Sequence, residues 1–64
     1  MKMFDNFYEA DSYADALAKK EKNRIFFIME KEGKFIVAKG WDERDYGIKL
    51  GWRVATFPRP VFEL

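Results

Sequence analysis

The stretch that most constrains the fold is residues 24–39, RIFFIMEKEGKFIVAK, in which two apolar runs flank a short turn. Phenylalanine, isoleucine and valine are favoured in strands, so the pattern predicts a single β-hairpin. A two-residue type I′ turn requires a positive φ at Glu32 as well as at Gly33, which a bulky side chain resists. We therefore expect a three-residue loop with Gly33 in a left-handed bulge, and this loop pairs Glu30 with Lys34.

The predicted register gives the hairpin two apolar faces. Side chains of a strand alternate between the faces of the sheet, which sorts the apolar residues into two sets. The first set is Ile25, Phe27, Met29, Phe35 and Val37, and the second is Phe26, Ile28, Ile36 and Ala38. Antiparallel sheets usually keep one face polar. The second face therefore needs a cover, which is the C-terminal segment, a second copy of the chain or a partner.

Residues 12–22 form the predicted helix. Ser12 and Asp15 match the looser form of a capping box, and the lysines of the last turn complement the helix dipole. The apolar stripe is thin, with Tyr13 and Leu17 as its large members, and a helix this short needs a sheet to pack on. We expect it to cover the first face of the hairpin.

The remaining segments complete a small α+β domain. Residues 1–11 are a lead-in, residues 40–49 have the glycines and charges typical of a loop, and residues 50–57 alternate as a third strand. Prolines then end strand pairing, so residues 58–64 are expected to form an extended tail. The prediction is one N-terminal helix packed on a three-stranded antiparallel β-meander with an extended C-terminal tail, in a single domain of residues 1–64.

Composition limits the possible chemistry. The 64 residues include neither cysteine nor histidine, which excludes disulfides, thiol or imidazole catalysis and zinc sites of the Cys/His type. The acids at positions 42–45 lack the ordered spacing of a calcium loop, so we expect no metal and no cofactor. One helix and three strands leave little room for a substrate pocket, which favours a non-enzymatic protein without a small-molecule substrate. A core this small is marginal on its own, so we also expect a homodimer.

The expected location is the cytoplasm. No apolar run approaches the roughly 18 residues of a membrane span, and the N-terminus lacks the cationic and apolar regions of a signal peptide. We therefore expect a soluble protein with no membrane partner.

The loop and the second sheet face are the predicted contact surfaces. Trp, Tyr and Arg are enriched at interface hot spots, and the 40–49 segment contains all three. We interpret the chain as a small protein-binding module, an accessory or inhibitor protein that occludes a partner surface. The residues predicted to contact the partner are Trp41, Asp42, Arg44 and Tyr46 of the loop, with Phe26, Ile28 and Ile36 of the sheet. The alternative for Trp41 is that its ring closes an open end of the core.

A single-stranded nucleic-acid-binding protein is the alternative function. A basic cluster beside the sheet aromatics consists of Lys19, Lys20, Lys22 and Arg24. Sheets with aromatic platforms and a cationic rim hold single strands. The net charge of +1 and the lack of an RNA-recognition-motif signature argue against this function, and lysines at a helix end also serve simply as a solvated face.

Overall fold

A computed structural model of the chain describes residues 2–21 and 24–55, together with the backbone of residues 59–60. Within these ranges the protein has the α+β architecture that the sequence predicts, but two helices lie on opposite faces of one antiparallel sheet. In chain order the elements are β1 (Met3–Phe4), α1 (Phe7–Lys20), β2 (Ile25–Lys31), β3 (Lys34–Lys39), α2 (Gly40–Lys49), β4 (Arg53–Val54) and β5 (Arg59–Pro60). The strands lie in the order β1, β3, β2 and β4, and β5 also pairs with β2.

The hairpin is confirmed, but its turn and register differ from the prediction. Glu32 and Gly33 have φ values of 51° and 78°, as a two-residue type I′ turn requires. Glu30 consequently pairs with Phe35 rather than with Lys34. The prediction was wrong because it weighed the strain at one turn residue and ignored how the following strand packs.

The one-residue difference exchanges the two faces of β3. A register shift of one residue moves every side chain of a strand to the opposite face of the sheet. Phe27 and Met29 share one face with Ile36 and Ala38, whereas Phe26 and Ile28 share the other with Phe35 and Val37. The predicted sets were therefore correct for β2 and wrong for β3.

α1 begins at Phe7 rather than at residue 12, and it ends at Lys20. Asn6 caps it: its Oδ1 accepts a hydrogen bond from Glu9 N at 2.9 Å, and its Nδ2 donates to Glu9 Oε1 at 2.8 Å. The first bond is the usual N-cap interaction, and the second joins the two side chains and holds the Asn6 amide in place. The sequence analysis placed the start too late because it assigned the cap to Ser12.

α1 covers the face of Phe26 and Ile28, which is the opposite face to the one predicted. Ala10 and Ala14 are buried against these side chains, and such small residues let the helix lie close to the sheet. Phe4 of β1 is buried in the same cluster. This half of the core is closed by the N-terminal part of the chain.

Residues 40–49, predicted to be a loop, form α2. Glu43 Oε1 accepts a hydrogen bond from Lys39 N at 2.8 Å, which ties the start of the helix to the end of β3. Gly47 is buried against Met29, and an ideal Cβ built at Gly47 would lie 2.8 Å from Met29 Sδ. The face of Phe27 and Met29 is therefore covered by this helix. Because each face of the sheet now has a helix on it, the reason for expecting the tail or a second copy over an open face is removed.

The sheet is not the predicted meander, because the third strand lies beside β2 and not beside β3. β4 spans only Arg53–Val54 of the predicted strand 50–57, and Val54 pairs with Met29. α2 crosses the sheet between β3 and β4 and returns the chain to the far side of β2. Within the predicted tail 58–64, Arg59–Pro60 forms β5, at a sheet edge where proline is tolerated. The other predicted strand and tail residues beyond Ala55 lie outside the described ranges.

Candidate functional site

α2 leaves an apolar groove at the margin of the face that it covers. The groove has a volume of about 220 Å³, and its walls are almost wholly apolar. The residues that line it are Met3, Ile36, Tyr46, Gly47, Leu50 and Trp52. We call this cavity the α2 groove. It brings together β1, the C-terminal half of α2 and the segment that precedes β4.

The floor of the α2 groove follows from the strand register. Met3, Ile36 and Met29 are successive partners across β1, β3 and β2, and Val54 continues this row on β4. A helix is about 10 Å wide and neighbouring strands lie about 4.8 Å apart, so α2 covers the centre of the row and not its ends. Accordingly, Met29 and Ile36 are buried, whereas 61% of Met3 and 39% of Val54 are exposed.

A glycine turn at the end of α2 places Trp52 at one wall of the groove. Gly51 has a φ of +95°, and its N donates a hydrogen bond to Ile48 O at 3.1 Å. Trp52 N donates to Gly47 O at 2.9 Å. This pair of bonds is a Schellman motif. It turns the chain back so that the half-buried indole packs against the buried cluster beneath α2.

Tyr46 and Leu50 form a projecting rim beside the cavity. They are four residues apart and therefore lie on the same side of α2. Their exposed fractions are 60% and 49%. Exposed apolar side chains are unremarkable when scattered, but a contiguous group that surrounds an apolar cavity marks an interaction surface.

Charged side chains near the hairpin end of the groove are paired within the chain. Lys31 Nζ donates a hydrogen bond to Leu50 O at 2.7 Å, which places a cation at the negative end of the α2 dipole. Lys34 binds the carboxylate of Asp5. This hydrogen bond and the positive charge of Lys34 hold the pKa of Asp5 below its ordinary value. Lys31 and Lys34 therefore have partners within the chain, whereas Lys49 at the end of α2 makes no ion pair within the described ranges.

Trp41 and Arg44, both predicted to contact the partner, form a stack on the first half of α2 and do not line the groove. The Trp41 and Phe27 rings pack edge to face with centroids 5.1 Å apart, and the Arg44 guanidinium lies 4.8 Å from the Trp41 ring centroid. Arg44 also binds Asp45 at 2.6 Å. Asp42, predicted with them, is exposed on the same half of the helix.

The other predicted contact residues are divided between the two faces of the sheet. Tyr46 and Ile36 line the α2 groove together. Phe26 and Ile28 are buried beneath α1 with 1% exposure each, so a partner has no access to them in the folded protein.

The sequence analysis missed Met3, Leu50 and Trp52. Met3 lies in a segment without a clear period, and the other two were assigned to a strand. The sequence around Leu50 and Trp52 does contain a helix-end signal. Lys49 and Leu50 are followed by Gly51, as at the end of a helix with a glycine just beyond it.

The basic cluster of the alternative function is partly neutralised. Lys19 and Lys20 are exposed at the end of α1. Arg24 Nε lies 3.4 Å from Glu21 Oε1, and Glu21 also pairs with Lys39 at 3.3 Å. Lys22 lies outside the described ranges. Phe26, the sheet aromatic nearest in sequence to this basic cluster, is buried beneath α1.

A second depression lies at the hairpin tip, and it is wider and more polar than the α2 groove. Its volume is about 430 Å³, between the hairpin turn and β4. Arg53 donates to Glu30 Oε1 through Nε at 3.1 Å and through Nη2 at 2.7 Å. Two of the charged side chains that line the depression therefore bind each other.

Within the described ranges, no group of three or more carboxylate side chains is placed to hold a metal ion. Neither helix in those ranges is long and apolar enough to cross a membrane.

No protein-family model, curated protein or solved structure matches the chain. The α2 groove is therefore interpreted from its own geometry.

Proposed function

We propose that the chain is a small, non-catalytic protein-binding module and that the α2 groove receives apolar side chains of its partner. The observation that carries this proposal is the combination of an apolar cavity of about 220 Å³ with a projecting apolar rim. The module acts by covering part of the partner surface, as an accessory or inhibitor protein. This mode of action is supported by the open form of the groove, which lies along the helix rather than inside the core.

Hydration of the empty groove is unfavourable. A groove of about 220 Å³ is large enough to hold several waters. The walls offer these waters few hydrogen-bond partners, and Tyr46 supplies the one hydroxyl among the lining side chains. An apolar side chain that enters the groove releases these waters, which is favourable.

The rim adds further apolar area to such a contact. Full burial of a large apolar side chain stabilises by about 1.5–3 kcal/mol. Tyr46 and Leu50 are already about half buried, so each contributes on the order of 1 kcal/mol when a partner covers it. Binding therefore depends on these two side chains more than on the charged outer side of α2.

The single-stranded nucleic-acid alternative has less support. It required an exposed sheet aromatic between basic side chains, and the aromatic is buried beneath α1.

Site-specific photo-crosslinking tests the proposed function. A photoreactive benzoylphenylalanine replaces Tyr46 in the groove rim, and the matched control replaces Tyr8, which is 80% exposed on α1 at the opposite face. Irradiation in the cells that naturally express the chain is expected to give a protein adduct from position 46 and not from position 8. Adding Leu50→Glu to the same protein is expected to abolish the adduct.

Three results contradict the proposal. Equal adducts from both positions would mean nonspecific collision, and an adduct that survives Leu50→Glu would mean that the groove is not the contact surface. The complete absence of an adduct from position 46 would also overturn it. Folding of each variant is verified by circular dichroism.

A further inference from the structure

We infer that the α2 groove binds the same groove of a second copy of the chain, across a two-fold axis between two antiparallel α2 helices. This inference rests on the proposed function, because it names the partner of that groove. Two observations carry it: the rim lies beside the cavity, and the two ends of α2 on the rim side carry side chains of opposite charge.

The surface formed by the α2 groove and its rim is complementary to itself. A two-fold contact uses the same surface on both subunits, so that surface must contain both the projection and the recess. Tyr46 and Leu50 project at the rim, and the cavity lies directly beside them. The rim of each copy enters the cavity of the other, and the exchange is reciprocal.

The charges along the rim fit an antiparallel pair. Asp42, Tyr46 and Lys49 are spaced at i, i+4 and i+7 and therefore lie along one side of α2. When two such helices pair about an axis near Tyr46, Asp42 of each copy lies opposite Lys49 of the other. Within the described ranges neither charged side chain makes an ion pair, so both are available for this contact.

The expected affinity is modest. α2 is about 15 Å long, and the groove widens the contact surface beside it by roughly one strand spacing of about 5 Å. A contact surface of these dimensions is smaller than the roughly 800 Å² per partner of a standard interface. That standard area is itself about a sixth of the 4659 Å² surface of the chain. We expect a dissociation constant on the order of 10 μM.

Sedimentation velocity of the full chain tests the association. Between about 1 μM and 1 mM, the mass is expected to rise from 7.7 kDa towards twice that value. Tyr46→Glu is expected to weaken association by about 100-fold, because each dimer then buries two carboxylates. The matched control Tyr8→Glu places the same change on α1 and is expected to leave association unchanged.

A charge exchange tests the geometry. Asp42→Lys and Lys49→Asp are each expected to weaken association by about tenfold, because two pairs per dimer change from attraction to repulsion. The double variant restores both pairs and is expected to associate within about threefold of the original. Both substitutions are unfavourable for the dipole of α2, so recovered association in the double variant is not explained by a more stable monomer. Urea unfolding confirms that each variant folds.

The outcomes separate this inference from the proposed function. A monomer at 1 mM overturns the inference, as does a double variant that associates no better than the single variants. If the chain is monomeric and position 46 still crosslinks to a different protein in a Leu50-dependent manner, the groove is a protein-binding surface with another occupant. An adduct of twice the chain mass supports the second copy.

Discussion

The contact between Gly47 and Met29 makes Gly47→Ala a sharp test of how α2 lies on the sheet. In an ordinary helix, alanine in place of glycine stabilises by about 1 kcal/mol. Here the added Cβ would lie 2.8 Å from Met29 Sδ and 3.0 Å from Met29 Cε. Met29 is fully buried, so its side chain has little room to move away. Overpacking of this kind costs about 1–3 kcal/mol.

The two effects have opposite signs and the clash is the larger. We expect Gly47→Ala to lower the free energy of unfolding by about 1 kcal/mol. Met29→Val removes the sulfur and terminal methyl but keeps a side chain suited to a strand, at a cost of about 1–2 kcal/mol. In that background the clash is absent, so the same Gly47→Ala change is expected to raise stability by about 1 kcal/mol.

The sign reversal is measured in a double-mutant cycle. Urea unfolding is followed by the fluorescence of Trp41 and Trp52, at about 1 μM protein so that self-association does not contribute. For a domain of this size, 1 kcal/mol moves the urea midpoint by about 1 M, which is readily resolved. The expected coupling energy is about 2 kcal/mol. If Gly47→Ala stabilises both backgrounds equally, α2 does not lie as close to β2 as described.

Three further predictions concern the hairpin and the groove margin. Glu32→Asn creates an Asn-Gly pair suited to positive φ at both turn residues and is expected to stabilise by about 0.5–1 kcal/mol; a loss in urea unfolding would refute the type I′ turn. Lys31→Met removes the hydrogen bond to Leu50 O and is expected to cost about 0.5–1 kcal/mol in the same assay; an unchanged midpoint contradicts this role. The pKa of Asp5 is lowered in the folded state by the hydrogen bond and charge of Lys34, so its contribution is present above the ordinary value of 3.8 and is lost as the pH falls through the folded pKa. Asp5→Asn is therefore expected to be less stable than the original at pH 7, with the difference shrinking below pH 3.8; a difference that does not depend on pH argues against the ion pair.

The hairpin was predictable from sequence because its signal is local. Two β-favouring runs around a glycine turn specify two paired strands wherever they occur. Its register was not predictable, since the choice between turns depends on what each arrangement buries. The type I′ turn strains Glu32 by about 1–2 kcal/mol, and it decides which side chains of β3 face α1 and which face α2.

α2 was missed because its stability comes from tertiary contacts. Glycines at positions 40, 47 and 51 lower the intrinsic helix propensity of the segment. Two of them serve the packing: Gly47 allows the close approach to Met29, and Gly51 closes the helix with a positive φ. A glycine-containing segment can therefore be either a loop or a helix that packs closely on a sheet. Which of the two forms depends on contacts with residues distant in sequence.

The turn at Glu32 also determines whether the α2 groove exists. With the three-residue loop, Ile36 would face α1, and the row of Met3, Ile36 and Met29 across the sheet would be broken. The two-residue turn places Ile36 beside Met29, and β1 then adds Met3 to the same row. The groove floor is thus a consequence of register, and the strain at Glu32 is coupled to the candidate site. A substitution that forced the longer loop is therefore expected to remove the groove even if both strands and both helices still formed.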